Sequence, residues 1–337
     1  SFATADIAVS TPAGLEVITQ GKPTGREQQG DRERATWKVE RPVPLFSLNA
    51  GIYKVFEARI HGVDCLLYLH PAHGKQVAFF EDAKEEALQA LDQILDTMEQ
   101  ETGLAYPYPR LSVVEVPFHV QWYYEGWQEN GGLTQPGVLM VEEDVLMGLR
   151  LSQRLKSMGR RQRRNDNPAQ LKRDLLVSAI FRIFFSRETS RDGVFRSPVA
   201  QLWTFNKAFR GENYSLLKRG LPLYMQEELS TDLQQAFYSS RRGRGRGGFS
   251  RFRRRKRTAG TSWDTLVTQM QQRSFSDVNP VEEADLYRAI LDAKGPPLFR
   301  MIEAVVGDEE FRNVLESFEN EYQYGEATFA SFEKAAM

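Results

Sequence analysis

The stretch "LSVVEVPFHVQWYYEGWQENGGLTQPGVLMVEE", Leu111 to Glu143, decides how this chain is read. It opens on the apolar run Leu111–Pro117 and closes on Gly137–Glu143, and both runs have the composition of buried strands. Between them stand Gly126-Trp127-Gln128-Glu129-Asn130-Gly131-Gly132. Glycines beside a strand let a second backbone come close, and a glutamate there offers a carboxylate to a cationic group. Two readings stay open on these residues alone. One is a strand edge that holds a ligand, at Gly126, Gln128, Glu129 and Asn130. The other is a plain polar turn.

Working toward the N-terminus, residues 1–72 read as β structure. "KVFEARI" and "VDCLLYL" flank His61-Gly62, a hairpin turn by composition. The segment "TPAGLEVITQGKPTGREQQGDRERATWKV" before them reads as two strands joined by a polar loop. The period then changes. In "EDAKEEALQALDQILDTMEQETG", Ala87, Leu88, Leu91, Ile94, Leu95 and Met98 share one helical face. Asp82 and Glu85 form a capping-box-like start, and Gly103 is a stop.

Toward the C-terminus, "AQLKRDLLVSAIFRIFFSRE" (Ala169–Glu188) is apolar nearly all round, which predicts a buried helix. "NYSLLKRGLPLYMQEEL" (Asn213–Leu229) predicts a second helix, kinked or delayed by Pro222. Pro296 and Pro297 suit the first turn of a further helix. The last long one carries Phe311, Val314, Leu315, Phe318 and Tyr322 in register, with Asp308 as N-cap and Gly325 as stop. The fold class expected is α+β.

Composition narrows the functions. Hydrophobic residues make up 41% and charged residues 26% of 337, an ordinary globular balance. No apolar run approaches the ~18–20 residues a membrane helix needs. A single cysteine, Cys65, excludes an internal disulfide and a multi-cysteine zinc site. There is no G-x-S-x-G and no P-loop. The chain begins with Ser, which suggests a processed or excised piece whose anchor lies elsewhere. The net charge of −1 hides an asymmetry: "RRGRGRGGFSRFRRRKR" (Arg241–Arg257) holds nine Arg and one Lys, and removing those ten charges takes the rest to −11. Residues 239–260 are expected to be a flexible basic loop.

Three segments in order carry a family resemblance: "YPYPRLSVVEVP" (Tyr106–Pro117), Gly126-Trp127-Gln128-Glu129-Asn130, and the tail from "KGPPLFRMIEAVVGDEEF" to "YQYGEATFASF". Together they resemble the aminopeptidase N-like zinc peptidases. The second is similar to that family's G-x-M-E-N motif, with Gln128 in place of Met. The resemblance implies the end of a β-sandwich domain in residues 1–72, followed by a thermolysin-like peptidase domain in 73–337. It also implies that Gly126, Gln128, Glu129 and Asn130 bind a peptide, with Glu129 holding its free amine.

The same resemblance implies a zinc site, and here the pattern departs. The family places H-E-x-x-H on the buried helix and a glutamate on the next. Aligning the helices puts Ser178 and Arg182 at the two His positions, Ala179 at the catalytic Glu, and Arg219 at the third ligand. Asp292 falls where the family has its transition-state tyrosine. The four histidines are His61, His70, His73 and His119, and none lies in either helix. His70-x-x-His73 lacks a carboxylate at ligand spacing. The expectation is a catalytically degenerate member: not an enzyme, with no metal and no cofactor.

The expected function is then a non-catalytic peptidase-like domain that binds peptide or protein ligands. Some bacterial ABC-transporter permeases resemble this arrangement, which implies transporter subunits as partners. It also implies an extracytoplasmic or periplasmic location, tethered to the inner membrane by segments outside this chain. The alternatives are an active zinc aminopeptidase with misaligned ligands, or a module binding an anionic surface, lipid or nucleic acid, through Arg241–Arg257. An acidic body argues against nucleic acid.

Overall fold

The hairpin expected at His61-Gly62 organises the first part of the molecule. Strand β6 (Lys54–Ile60) turns through His61 (φ 50°) and Gly62 (φ 79°) into β7 (Val63–Leu69). Two successive left-handed residues match the twist of paired antiparallel strands. In this computed structural model the residues described are 2–73, 77–78, 80–81, 84–117, 121–124, 127–130, 134–142, 202–204, 206–211, 213–227, 274–279 and 282–337.

Ahead of the hairpin lie β1 (Ala3–Pro12), β2 (Glu16–Ile18), β3 (Lys22–Gln29), β4 (Arg32–Val43) and β5 (Asn49–Gly51). They form a three-stranded sheet of order β1-β4-β3 and a short β2-β5 pair. β4 alternates, burying Ala35, Trp37 and Val39. The polar stretch expected to be a loop is instead β3, an edge strand exposed along its whole length. With both faces wet it has no apolar alternation, so periodicity cannot find it. Its entry is fixed by Gly21 (φ +85°), where a Cβ would sit 2.3 Å from the Lys38 carbonyl oxygen.

The second sheet has the order β11-β12-β8-β7-β6, with β8 at Arg110–Val116, β11 at Thr134–Gln135 and β12 at Val138–Glu142. β8 pairs in parallel with both β7 and β12. Parallel pairing requires a crossover. Helix α1 (Lys84–Thr102) lies on the first, and the hairpin of β9 (Gln121–Tyr124) and β10 (Trp127–Asn130) on the second. The sheet therefore runs across the 72/73 boundary drawn from the change of period. That boundary followed chain continuity, whereas parallel pairing joins segments distant in sequence.

The sheet is covered on both faces. On one, Leu111, Val113, Leu139 and Val141 meet Ala90, Ile94, Leu95 and Met98 of α1. On the other, Val114, Val116, Val138 and Met140 pack with Leu66, Tyr68 and Ile18. A strand buried on both sides reads as a continuous apolar run, as 111–117 does.

The C-terminal part is helical: α2 (Ala284–Val306), α3 (Asp308–Tyr322) and α4 (Phe329–Ala335). α3 has Asp308, Glu309 and Glu310 in its first turn, where negative charge favours the helix dipole. The N-cap position is Gly307, with Asp308 one residue inside. Phe332 packs edge-to-face with Phe299 (5.7 Å) and Phe318 (5.3 Å). Pro296 and Pro297 do not start a helix as expected. They sit inside α2, which continues through them. Burial of Ile290, Leu291 and Phe299 on both sides of the prolines holds the helix together where backbone bonds are lost.

One buried ion pair ties these parts. Residues 206–209 reach β13 (Ala208–Phe209), which pairs with β14 (Glu326–Ala327). Beside it the Lys207 ammonium, 0% exposed, meets the Glu319 carboxylate, 7% exposed, and donates to Asn206 Oδ1 at 2.7 Å. Burial pulls the Lys207 amine below its ordinary value and pushes the Glu319 carboxyl up, each opposed by the other's charge. We predict that Lys207→Met lowers stability by about 3–5 kcal/mol, because it leaves a buried carboxylate uncompensated. Lys207→Met with Glu319→Leu should recover much of that loss. Urea unfolding midpoints read both.

Candidate functional site

The second expected helix begins irregularly. Over Leu216–Gly220 it forms a widened turn in which the Leu221 N–H reaches back five residues to the Leu216 carbonyl. Residues 221–227 then continue as α-helix. Pro222 offers no N–H and its ring crowds the carbonyl four residues earlier, so the turn before it opens. The kink expected at Pro222 takes this form.

That turn lies against α2 with no side chain between. A Cβ at Gly220 would be 2.9 Å from Gly295 Cα, and one at Gly295 would be 2.6 Å from Gly220 Cα. Only two facing glycines allow this approach. It brings Arg219 beside Asp292, one turn before Gly295. Nε lies 2.5 Å from Oδ1 and Nη2 2.9 Å from Oδ2, a two-pronged pair with side chains 12% and 14% exposed. Such forked pairs fix orientation as well as charge.

The other expected site residues fall as follows. Gln128, Glu129 and Asn130 lie on β10, opposite Tyr123, Trp122 and Gln121 of β9. Gly126, Ser178, Ala179 and Arg182 lie outside the described residues, as do the helix expected at Ala169–Glu188 and the basic loop 239–260.

Arg219 stands at the position that the resemblance gives to the third zinc ligand. A guanidinium has five N–H donors and no lone pair for a metal, and this one is held by Asp292. The pair does not fit a zinc ion there, and no chemistry is assigned through one.

A second polar group was missed by the sequence reading. Glu115 is buried in β8, and its Oε1 lies 2.9 Å from His73 Nδ1 while Oε2 accepts from the His70 N–H at 2.6 Å. The two imidazole rings are 5.6 Å apart. The carboxylate that His70-x-x-His73 lacked in sequence arrives from 42 residues away. Its signal was visible: an acid in the middle of an apolar strand requires a partner. His61, Asp92 and Asp96 also gather their ligand-type atoms within 4.8 Å, with His61 Nε2 3.0 and 3.3 Å from the two carboxylates. His61 and Asp92 are exposed and Asp96 partly so, and surface acidic groups commonly gather in this way without an ion. Burial pushes the Cys65 thiol up to about 12, which makes it inert at neutral pH.

No protein-family profile matches the chain. It is similar to a protein named "Probable aminopeptidase 2" from Sulfurisphaera tokodaii, 20% identical over 328 residues. The aligned region covers 97% of this chain and 35% of the relative, so the chain spans about a third of the relative's length. The similarity is aminopeptidase-like. It corrects the expectation that the chain is not an enzyme: the relative is named as an aminopeptidase. At this identity it supports peptidase-like similarity and not a demonstrated activity. The degenerate-site reading had rested on an alignment of two helices, one of them outside the described residues.

We predict that Arg219→Met lowers stability by about 1–3 kcal/mol, since Asp292 is then mostly buried without its cation. Asp292→Leu in the same chain should restore part of it. Gly295→Ala should cost a comparable ~1–3 kcal/mol by forcing the two helices apart. Thermal melts check all three, and a neutral Gly295→Ala would show that the backbone contact is not tight.

Proposed function

We propose that the chain handles peptides through an aminopeptidase-like cleft, receiving a free amino end at β10 with Glu129 as the amine's partner. One observation carries this reading. Gln128-Glu129-Asn130 form a strand paired with β9, not the polar turn that was the plain alternative. A strand holds its residues at fixed spacing along an extended backbone, as recognition of an extended peptide requires. Among the described residues β10 pairs with β9. The aminopeptidase-like similarity over nearly the whole chain supports the same substrate class.

Within this reading Glu129 contributes a charge-assisted hydrogen bond to an ammonium group. The test uses short fluorescent peptides, one set with free amino ends and one N-acetylated. Acetylation should weaken binding by about tenfold or more, as should Glu129→Gln, and the two effects should not add. Equal affinity for both sets would sink the proposal. Release of the N-terminal residue, followed in the same samples, reads hydrolysis directly.

A further inference from the structure

The N-terminal sheet and the five-stranded sheet enclose a cleft of about 140 Å³ whose wall carries four cations, Lys22, Lys38, Arg41 and Arg110, and one acid, Glu40. Glu40 is already paired with Lys38 at 3.3 Å. The two arginines are held in place by neutral groups. Arg41 Nη1 donates to the Pro107 carbonyl and to the Tyr324 hydroxyl. Arg110 donates from Nη2 to the Tyr68 hydroxyl at 2.8 Å and from Nε to Ser112 Oγ at 3.4 Å, with its guanidinium 5.0 Å over the Trp37 ring. Among the described residues, neither arginine has a carboxylate at ion-pair distance, and nor does Lys22.

A second observation points the same way. Tyr108 lines this cleft, is 5% exposed, and its buried hydroxyl has no hydrogen-bond partner. A buried hydroxyl without a partner costs free energy. Fixed guanidinium groups without counter-charge, with an idle donor beside them, are what an oxyanion site requires.

We propose that this cleft binds a small oxyanion, a phosphate or a carboxylate group, between Arg41, Arg110 and Lys22. The volume suits a group of that size and not a folded partner. The site is separate from the peptide edge. Arg110 begins β8, whereas the β9–β10 hairpin follows the other end of that strand, roughly 20 Å along at about 3.3 Å per residue. The proposal therefore stands or falls independently of the role given to Glu129.

The test is calorimetric titration of the whole chain at low salt with inorganic phosphate and, separately, with succinate. Saturable one-to-one binding of at least one is expected. Phosphate alone binding would mark a phosphate group as the ligand and succinate alone a carboxylate, while both binding would mean that charge decides. Lys22→Gln with Arg41→Gln should weaken the binding by about tenfold or more. Arg41 also holds the chain at Pro107, so that variant can fail to fold. Lys22→Gln alone, on the exposed strand β3, and Tyr108→Phe then carry the test. Tyr108→Phe should weaken binding severalfold without lowering the melting temperature, because its hydroxyl has no protein partner to lose. Absence of saturable binding, or binding that none of these variants alters, would overturn the proposal.

Discussion

Strand β8 is the constraint on which the sites depend. It is paired in parallel on both edges and buried on both faces, so its position and register are fixed from four directions. Slipping it by one residue would turn Leu111, Val113 and Glu115 to the opposite face and put Ser112 and Val114 against α1. Each polar feature then hangs from this strand. Arg110 at its start enters the cleft between the sheets, Glu115 near its end binds the His70–His73 turn, and the chain leaving Val116 builds the hairpin that carries Glu129. The strand gives these groups fixed places, as rigid elements do for the residues that carry function.

The second constraint is conformational. Two prolines inside α2 and one after the widened turn remove backbone hydrogen bonds that a regular helix would make. The helices persist because Gly220 and Gly295 let them touch and because Leu217, Leu221, Leu291 and Phe299 are buried around that contact. Irregular helix here is the cause of the Arg219–Asp292 geometry. In a regular turn Arg219 would point in another direction, and the fork on Asp292 would not close.

What the sequence made legible follows from what each residue pattern encodes. The face of α1, the burial of Phe311 to Phe318 in α3, and the His61-Gly62 hairpin were all readable, because each is a local period or turn preference. β3 was unreadable, because an edge strand wet on both faces has no period. Pro296 and Pro297 misled for the opposite reason: they carry a strong local signal, and tertiary packing overrode it. The His73–Glu115 contact was hidden because no local rule links positions 42 residues apart. Glu129 and Asn130 were readable as to type but not as to conformation, since Glu-Asn-Gly-Gly fits a strand end and a turn equally well.

Charge is treated consistently where this chain buries it. Among the described residues Lys207 is matched by Glu319 and Arg219 by Asp292, and Glu115 is hydrogen-bonded by His73, each pair made across distant parts of the sequence. Desolvating a charge without a partner costs several kcal/mol, so such matching is what a stable fold requires. The cleft between the sheets is a different case, because Arg41 is exposed and Arg110 half-buried. Arg41 and Arg110 are anchored there by carbonyl and hydroxyl oxygens, and among the described residues neither has a carboxylate at ion-pair distance. A carboxylate in place of Ser112 or the Tyr68 hydroxyl would hold Arg110 as firmly and cancel its charge. Neutral anchors keep the guanidinium groups oriented while leaving their field intact, and that combination has a use where an anion comes and goes.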